Sequence, residues 1–483
     1  MLKTDKDSII FYFIPSVVVL FLIGIAVDSL NVLLVSTMLV YGCMAVYAYN
    51  KQDATVLMGF LVTFFVYLLG QYVTLWINGE VWYDKFDRHV MKVTLSCLFI
   101  SLVSVFVGFV FSKHNSKNSK MSIMSTYNEY TESNILIKKI SGTLFYITII
   151  FDVIVNLEPA LFVQQGTYLD LYTDYTSQLP TVVHKIAQAN KLLFCVYLTT
   201  LPSKKEMKMP CILYLFSNFI TLFSGVRGTI VNCVIFVFLY YFYRQRMSRK
   251  METGEVWISK KLIVLTAVAV PFCIVFLSLY NNIRNGTEYE YNGFFNEILL
   301  FFENQGGSVN VIGYAEDLKD RMPETNTSYL FGPVINLFKY GFWGSFFGGG
   351  EAIRNNTLQM AMYGNNLGAT VTYLAFPEQW LAGMGLGTQY IAEAYVDFGY
   401  VGVALFNLFL GYIIFKINFV TTNKWYINAL LVNIILSILA MPRNFGTSFV
   451  AELVSVFNWG VLFVIWVINF ISVKYGGSGR DKA

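Results

Sequence analysis

The stretch IIFYFIPSVVVLFLIGIAVDSLNVLLVSTMLVYGCMAVYAYN, residues 9–50, decides the fold class. It contains one charged residue, Asp28, between two apolar runs at 9–27 and 29–49. A helix needs about 20 apolar residues to cross the hydrocarbon core of a bilayer, so each run predicts one membrane span. A membrane barrel would alternate apolar and polar residues along each strand, and these runs do not. The sequence therefore predicts an all-α membrane protein.

The overall composition agrees with a membrane environment. Hydrophobic residues make up 56% of the chain and charged residues only 13%, whereas a soluble domain carries about 25% charged residues. No small-residue cleavage pattern follows the first run, so we expect it to be an uncleaved span. We predict twelve spans, at 9–27, 29–49, 54–77, 91–112, 136–157, 181–201, 210–224, 228–243, 262–280, 390–416, 426–441 and 449–473.

Basic residues predict the orientation of these spans. The loops KHNSKNSK at 113–120, SKKEMK at 203–208 and RQRMSRK at 244–250 lie on one side of the predicted membrane. With twelve spans both termini share that side, and its excess of Lys and Arg assigns it to the cytoplasm. Loops on the opposite side, such as NGEVWYDKFDRH at 78–89, are mixed or acidic.

The domain plan follows from one long interruption between the ninth and tenth spans. We expect membrane helices one to nine in 1–280, a large extracytoplasmic loop in 281–388, and helices ten to twelve with a cytoplasmic tail in 389–483. The loop contains apolar segments such as FFNEILLFF at 294–302 and YLFGPVINLFKYGFWGSFFGGG at 329–350. These segments predict a folded or membrane-skimming subdomain, and a loop of this length is usually functional.

Isolated arginines lie in short turns on the predicted outer side. Arg227 is in FSGVRGTIVN, Arg284 in LYNNIRNGTE and Arg443 in AMPRNFGTSF. The positive-inside bias makes an arginine there unusual, and a guanidinium offers planar, multi-donor binding of phosphate or carboxylate. Several arginines that converge would bind a diphosphate. Alternatively, each pairs with a nearby acid or a lipid headgroup.

The tenth span carries an acidic pattern in GLGTQYIAEAYVDFGYVGVALFNLFLGY, residues 385–412. Gln389, Glu393 and Asp397 are four residues apart, which predicts one helical face. Carboxylates are costly against lipid, so we expect this face to meet a cavity or a cation. Glu393, near the helix start, is the candidate general base. The alternative is a structural ion pair with an arginine.

Other polar residues are weaker candidates for the same site. His184, Lys185 and Lys191 make the outer half of the sixth span polar and basic, and a tilted or half-buried helix with snorkelling lysines is the favoured interpretation. Glu452, at the predicted start of the twelfth span, is a second acidic candidate, and Asp152 in the fifth span is a candidate buried partner. The segment EDLKD at 316–320 is interpreted as an ordinary acidic helix surface.

Several classes of function lack their motifs in this sequence. The six cysteines lie within or at the edges of apolar runs, and the three histidines are scattered. We therefore expect no metal site and no cofactor. No GxxxxGK[ST], CxxC, HExxH or GxSxG motif occurs, so the chain has no ATPase signature. No nucleic-acid partner is expected.

Two motifs and the hydropathy plan suggest a family. SGVRG at 224–228 follows a mid-chain span, and AEAYVDFGYVG at 392–402 follows the long late loop and precedes two closing spans. In these features the chain resembles the bacterial O-antigen and capsular polysaccharide repeat-unit polymerases of the Wzy type. The resemblance implies a GT-C-like architecture in the bacterial cytoplasmic (inner) membrane. It also implies glycosyl transfer without a nucleotide sugar or a metal.

The resemblance further implies substrates and partners. The donor would be the growing glycan on undecaprenyl diphosphate, and the acceptor a hydroxyl of a new lipid-linked repeat unit. Membrane lipids, a chain-length regulator and a flippase would be the partners. The family role of binding lipid diphosphate transfers to Arg227 by motif and, less directly, to Arg284. Arg443 and Arg354 are assigned by position alone, and Glu393 would take the acceptor proton. Aromatic residues that could stack on sugars are Trp343, Tyr373, Trp380 and Tyr390.

Two other functions fit the same composition. A transporter or lipid-linked oligosaccharide flippase would also have about twelve spans, and a related O-antigen ligase would share the architecture but use a different acceptor. A transporter commonly shows symmetry between its two halves, and no repeat stands out in this chain. The single large loop late in the sequence therefore favours the polymerase.

Overall fold

The structure, a computed structural model, describes residues 6–116, 130–166, 169–285, 291, 293–340, 342–346 and 350–476. Throughout these ranges the backbone forms helices, turns and loops and no strand. The all-α prediction is therefore confirmed for the part of the chain that the structure describes.

The helices are numbered in chain order. Those before residue 251 are α1 Lys6–Ala26, α2 Leu30–Asn50, α3 Thr55–Phe64, α4 Gly70–Ile77, α5 Arg88–Ser116, α6 Ile135–Gln165, α7 Asp170–Thr173, α8 Thr181–Thr199, α9 Lys204–Ile220 and α10 Gly228–Lys250. Those after it are α11 Lys260–Asn285, α12 Phe294–Gly306, α13 Asn310–Asp317, α14 Gly332–Tyr340, α15 Phe342–Phe346, α16 Leu358–Tyr363, α17 Leu367–Ala375, α18 Pro377–Leu381, α19 Tyr390–Lys416, α20 Trp425–Ala440, α21 Ser448–Val454 and α22 Val456–Gly476.

The long apolar helices make the chain an integral membrane protein. A helix lies within each of the twelve segments that the sequence singles out. Among the described residues, eight helices are long and apolar enough to cross a membrane: α2, α3 with α4, α5, α6, α11, α19, α20 and α22. Helices α8, α9 and α10 carry more charge, and the apolar part of α1 is shorter. The segment predicted as one span at 449–473 is divided into α21 and α22.

The chain divides into two compact units. The first consists of Met1–Asn118, Lys260–Lys416 and Leu439–Ser448. The second consists of Ser119–Ser259, Ile417–Ile438 and Phe449–Ala483. Both units are therefore assembled from segments that are distant in the sequence.

The core of the first unit is the close packing of α5 against α19. Glycines allow this approach, since a Cβ atom at Gly108 would lie 1.9 Å from the Leu408 carbonyl oxygen. A Cβ atom at Gly411 would lie 2.0 Å from the Val105 carbonyl oxygen. Small residues at such contacts let membrane helices bring their backbones together. The two helices thus form a rigid support for the residues at their ends.

A π-helical turn interrupts the third predicted span and shapes the same unit. The turn, Phe65–Leu69, joins α3 to α4, and π turns inside α-helices are frequent at functional sites. Helix α12, the first helix that lies wholly within the predicted loop, packs along α4. The Thr74 hydroxyl lies 3.4 Å from the Leu299 carbonyl oxygen, and a Cβ atom at Gly306 would lie 2.3 Å from the Gln71 nitrogen. The predicted loop therefore begins against membrane helices.

The second unit packs α6 along α8. Asn190 on α8 donates hydrogen bonds to the Phe145 carbonyl oxygen at 3.2 Å and to the Thr148 hydroxyl at 2.9 Å. At another end of the unit, Arg244 donates to the Pro202 carbonyl oxygen at 2.8 Å and stacks 4.3 Å from the Trp257 ring. These buried polar contacts fix α8, which carries His184 and Lys191, and the turn that follows it.

Candidate functional site

Arg443 is an exposed cation held by neutral groups in the first unit. It ends the 3-10 turn Met441–Arg443 that follows α20. Its Nη1 donates to Gln305 Oε1 at 2.5 Å, and its guanidinium carbon lies 5.8 Å from the centre of the Tyr67 ring. Among the described residues, no carboxylate forms an ion pair with it. Its positive charge is therefore available to an anion.

Helices from distant parts of the chain build the surroundings of Arg443. Tyr67 belongs to the π turn, and Gln71 lies in the next turn of α4. Gln305 is buried at the end of α12. Asn310 at the start of α13 donates to Gln71 Oε1 at 3.0 Å. We call these five residues, Arg443, Tyr67, Gln71, Gln305 and Asn310, the Arg443 cluster.

Glu393 fixes the turn that carries Arg443. It is fully buried, and its Oε2 accepts a hydrogen bond from the Gly446 nitrogen at 2.8 Å. Its Oε1 accepts from the Thr388 hydroxyl at 2.7 Å. The alternative interpretation, an ion pair with an arginine, is not found among the described residues. The carboxylate thus joins the first turn of α19 to the backbone three residues after Arg443.

Asp397 holds a second loop beside the first. Its carboxylate accepts hydrogen bonds from the Ser328 hydroxyl at 2.5 Å, the Tyr329 nitrogen at 3.1 Å and the Leu330 nitrogen at 2.9 Å. The Thr447 hydroxyl in turn donates to the Leu330 carbonyl oxygen at 2.6 Å. The acidic face of α19 therefore anchors the Arg443 turn and the loop before α14 side by side.

Gln389 caps α19 instead of lying on its face. It precedes the first residue of that helix, and its Oε1 accepts from the Ala392 nitrogen at 2.6 Å. Within the described residues, its buried Nε2 has no hydrogen-bond partner. The predicted face of three polar residues therefore contains Glu393 and Asp397, with Gln389 at its start.

The other arginines occupy different positions. Arg227 caps the N-terminus of α10, after the left-handed Gly225 (φ 84°), in the turn between α9 and α10. It belongs to the second unit, whereas Arg284, Arg354 and Arg443 belong to the first. Arg284 is in the last turn of α11, and its side chain lies outside the described part of the structure. Arg354 is exposed in the loop before α16.

Glu452 is the centre of a polar cluster in the second unit. It accepts hydrogen bonds from Lys191 at 3.1 Å, Asn433 at 3.0 Å and Asn458 at 2.8 Å. The charge of Lys191 and the two amide donors therefore stabilise the Glu452 carboxylate. Lys191 therefore forms an ion pair with Glu452, and its side chain is 36% exposed.

His184 and Asp152 make local contacts in the second unit. His184 Nε2 lies 2.7 Å from the Ser177 hydroxyl, which also donates to Glu158 at 2.5 Å. The Ser177 hydroxyl therefore lies between the His184 imidazole and the Glu158 carboxylate. These contacts fix the loop that precedes α8. Asp152 accepts a hydrogen bond from Ser217.

Glu316 corrects the interpretation of 316–320 as an ordinary acidic surface. Its side chain is only 3% exposed and accepts hydrogen bonds from His89 at 3.2 Å, Lys319 at 2.6 Å and Tyr395 at 2.9 Å. Burial raises the pKa of the carboxyl, but these donors outweigh burial and hold the pKa below its ordinary value. The interpretation is wrong for this residue because helices α5 and α19 cover it.

A comparison with known families decides where the chain belongs. The family model "O-antigen polysaccharide polymerase Wzy" matches residues 9–475, nearly the whole chain. The chain belongs to the Wzy family. No curated protein matches it, and no solved structure does. Membership indicates a polymerase that acts on lipid-linked oligosaccharides in a membrane, and the apolar helices agree with that setting.

Aromatic residues of this Wzy polymerase divide into buried and accessible ones. Trp380 is 4% exposed and Tyr390 is fully buried. The Tyr390 hydroxyl donates to Asn407 Oδ1 at 3.0 Å in the core between α5 and α19. These two residues therefore do not offer a surface for stacking on sugars, whereas Trp343 and Tyr373 are half-buried.

Sequence reasoning missed the polar residues around Arg443. Gln71 and Gln305 adjoin apolar runs that predict only membrane or interface helices. A polar amide in a membrane helix of a Wzy polymerase is costly without partners. This cost predicts that each glutamine has a polar partner. It does not identify the partner, which here lies in a distant part of the chain.

Proposed function

We propose that the chain extends O-antigen or capsular polysaccharide at the outer face of the bacterial cytoplasmic membrane. The donor is the growing glycan on undecaprenyl diphosphate, and the acceptor is a hydroxyl of a new lipid-linked repeat unit. The match of nearly the whole chain to the Wzy family carries this proposal. The donor arrives already activated by its diphosphate, so the reaction needs neither a nucleotide sugar nor a metal ion.

The proposal includes a topology. Twelve spans with both termini in the cytoplasm would expose the Arg443 and Arg227 turns on the outer side, together with the extracytoplasmic subdomain 281–388. The strongly basic loops of the opposite side support this orientation. The same side is where lipid-linked repeat units would be available after export by a flippase, with a chain-length regulator as a further partner.

Arginines are proposed to bind the diphosphate of the donor. Negative charge develops on the diphosphate as the sugar leaves, and a preorganised guanidinium stabilises that charge. Arg443 supports this role most directly, because it is exposed and its described polar partner is the neutral Gln305. Arg227 and Arg284 are proposed for the same role, and Arg354 is proposed for the glycan or the second lipid.

The polar residues near these arginines are proposed to support substrate binding. Glu393 supports a role in positioning, since its carboxylate holds the Arg443 turn through Gly446. Asp397 holds the adjacent loop in the same way. Further candidates for contacts with the glycan are His184, Gln389 and Glu452.

The test is the glycan made by a strain that lacks this gene. A polymerase deletion leaves export and ligation intact, so we expect single repeat units on the final acceptor and no longer glycans. Reintroducing the gene should restore a ladder of lengths. Loss of all exported repeats would indicate a flippase, and long lipid-linked chains that never reach the final acceptor would indicate a ligase. Either result would overturn the proposal.

A further inference from the structure

His89 and Glu316 form a pair that the proposed mechanism does not yet use. His89 is in the first turn of α5, and its side chain is 72% exposed. Its Nε2 lies 3.2 Å from Oε1 of Glu316, whose side chain is only 3% exposed. An accessible imidazole is thus attached to a buried carboxylate in the first unit.

The surroundings of Glu316 keep it ionised and fixed. Tyr395 donates to its Oε2 at 2.9 Å, and Lys319 donates to its Oε1 at 2.6 Å. These donors favour the charged carboxylate. An ionised Glu316 carboxylate can only accept a hydrogen bond. A neutral His89 imidazole must therefore carry its proton on Nε2. Nδ1 then has a free lone pair and no partner among the described residues.

Helix α13 connects this pair to the Arg443 cluster. Asn310 at the start of α13 binds Gln71, and Glu316 lies six residues later on the same helix. Six residues of helix span about 9 Å. Gly313 packs against the Phe86 ring, where a Cβ atom would lie 2.6 Å from the ring. The exposed imidazole therefore contacts the C-terminal part of α13, and the first residue of this short helix belongs to the Arg443 cluster.

We propose that His89, oriented by Glu316, is the proton acceptor of chain extension; this inference rests on the proposed function. The acceptor hydroxyl transfers its proton to Nδ1 of His89, and its oxygen forms a bond to the anomeric carbon of the donor sugar. The bond between that carbon and the diphosphate oxygen breaks, and its electron pair leaves with the lipid diphosphate. Glu316 holds the imidazole and stabilises the imidazolium that forms, as a positioning residue.

The structure favours His89 over Glu393 for this step. Glu393 is fully buried, and both of its oxygens accept hydrogen bonds within the protein. A general base must come within hydrogen-bond reach of the proton that it removes. His89 satisfies this condition through Nδ1, which has no partner within the described part of the chain, whereas Glu393 would first have to release the Arg443 turn.

The charged groups near His89 also allow a clear pH readout. On its own helix, Arg88 and Lys92 pair with Asp28 at 2.8 Å and 2.6 Å and not with Glu316. From the packed elements, Glu316 contacts the imidazole, and Lys319 and Tyr395 bind the same Glu316 carboxylate. A rate that depends on a neutral imidazole should fall on the acidic side of its pH profile.

The experiment uses the full-length protein in lipid nanodiscs with single undecaprenyl-diphosphate-linked repeat units. Glycan length is followed from about pH 5 to about pH 8, where imidazole changes its charge. We expect His89→Gln to lower kcat about 100-fold or more with little change in KM, and to abolish the acidic limb. Added imidazole should restore part of the rate of His89→Ala, because this position is exposed. Glu316→Gln should be milder than Glu316→Ala, because the amide oxygen still accepts a hydrogen bond.

Lys92→Gln, one turn further along α5, is the matched control and should keep the wild-type rate. Wild-type kinetics and an unchanged pH profile in His89→Gln would overturn the inference while leaving the polymerase function intact. Loss of rate without imidazole rescue, together with a lower unfolding temperature, would also overturn it in favour of a structural role. Failure of the wild-type protein to lengthen glycans would overturn the proposed function. The proposed role of His89 as proton acceptor would then fall with it.

Discussion

Arg443 combines a full positive charge with neutral described partners, so its function depends on geometry as well as charge. Arg443→Lys keeps the charge but loses the planar set of donors that binds Gln305 and a phosphate together. We expect glycans to shorten markedly in this variant. The measurement is the glycan ladder of a deletion strain that expresses it at wild-type level. Arg249→Lys, at an exposed position on α10, is the matched control, and equal ladders in both variants would contradict the assignment.

The next prediction concerns Arg227 and Arg284, the other two arginines that we propose as diphosphate ligands. Arg227→Ala and Arg284→Ala should each abolish chain extension while the protein still inserts, because each removes a proposed diphosphate contact. Arg227→Lys should also be strongly impaired, since an ammonium does not replace the guanidinium fork. Membrane fractions would establish insertion, and glycan gels would establish length. Near-wild-type ladders in both alanine variants would remove these residues from the site.

The sequence predicts some residues of the candidate site and does not predict others. Isolated arginines on the predicted outer side were visible because they violate the positive-inside bias. Gln305 and Glu316 were not, since their partners Arg443 and His89 come from distant helices. A pattern along the chain records local spacing and does not record which helices pack together.

At the scale of helices, the contact of α5 with α19 gives a direct test of packing. Gly108→Ala and Gly411→Ala would each place a methyl group against a backbone carbonyl oxygen. Overpacking of this kind costs about 1–3 kcal/mol, so we expect a lower unfolding temperature in detergent. Gly42→Ala is the control, because nothing lies within 4 Å of its Cβ position in α2. A drop as large for Gly42→Ala would show that the contact is not the cause.

Helix positions were largely predictable, and their interruptions were not. The apolar runs predicted which segments form helices, because a membrane helix needs a minimum apolar length. The π turn at Phe65–Leu69, the break between α21 and α22, and the kink at Gly399 (φ 61°) leave no such signature. Each depends on a local backbone geometry that neighbouring helices stabilise. One of these three features, the π turn, contributes Tyr67 to the Arg443 cluster.

For the whole molecule, the buried Glu316 predicts a loss of stability in acid. Its folded-state pKa lies below the ordinary value of 4.5. Its stabilising contribution is therefore complete above that pH and is lost as the pH falls through the folded-state pKa. We expect the unfolding temperature to fall below pH 4.5, and Glu316→Gln to flatten this fall. Glu324→Gln, at an exposed position on the same segment, controls for simple charge removal. An equally steep fall in Glu316→Gln would contradict the prediction.

The orientation of the whole molecule depends on three helices of intermediate polarity, α8, α9 and α10. If all three cross, nine spans precede the 281–388 segment, and that segment lies opposite the N-terminus. If one of them does not cross, the segment moves to the cytoplasmic side. Alkaline phosphatase, active only outside the cytoplasm, should therefore be active when fused after Arg321. Green fluorescent protein should fluoresce after Lys250 and Lys424. Fluorescence after Arg321 would place the Arg443 turn in the cytoplasm, where an exported lipid-linked glycan does not reach it.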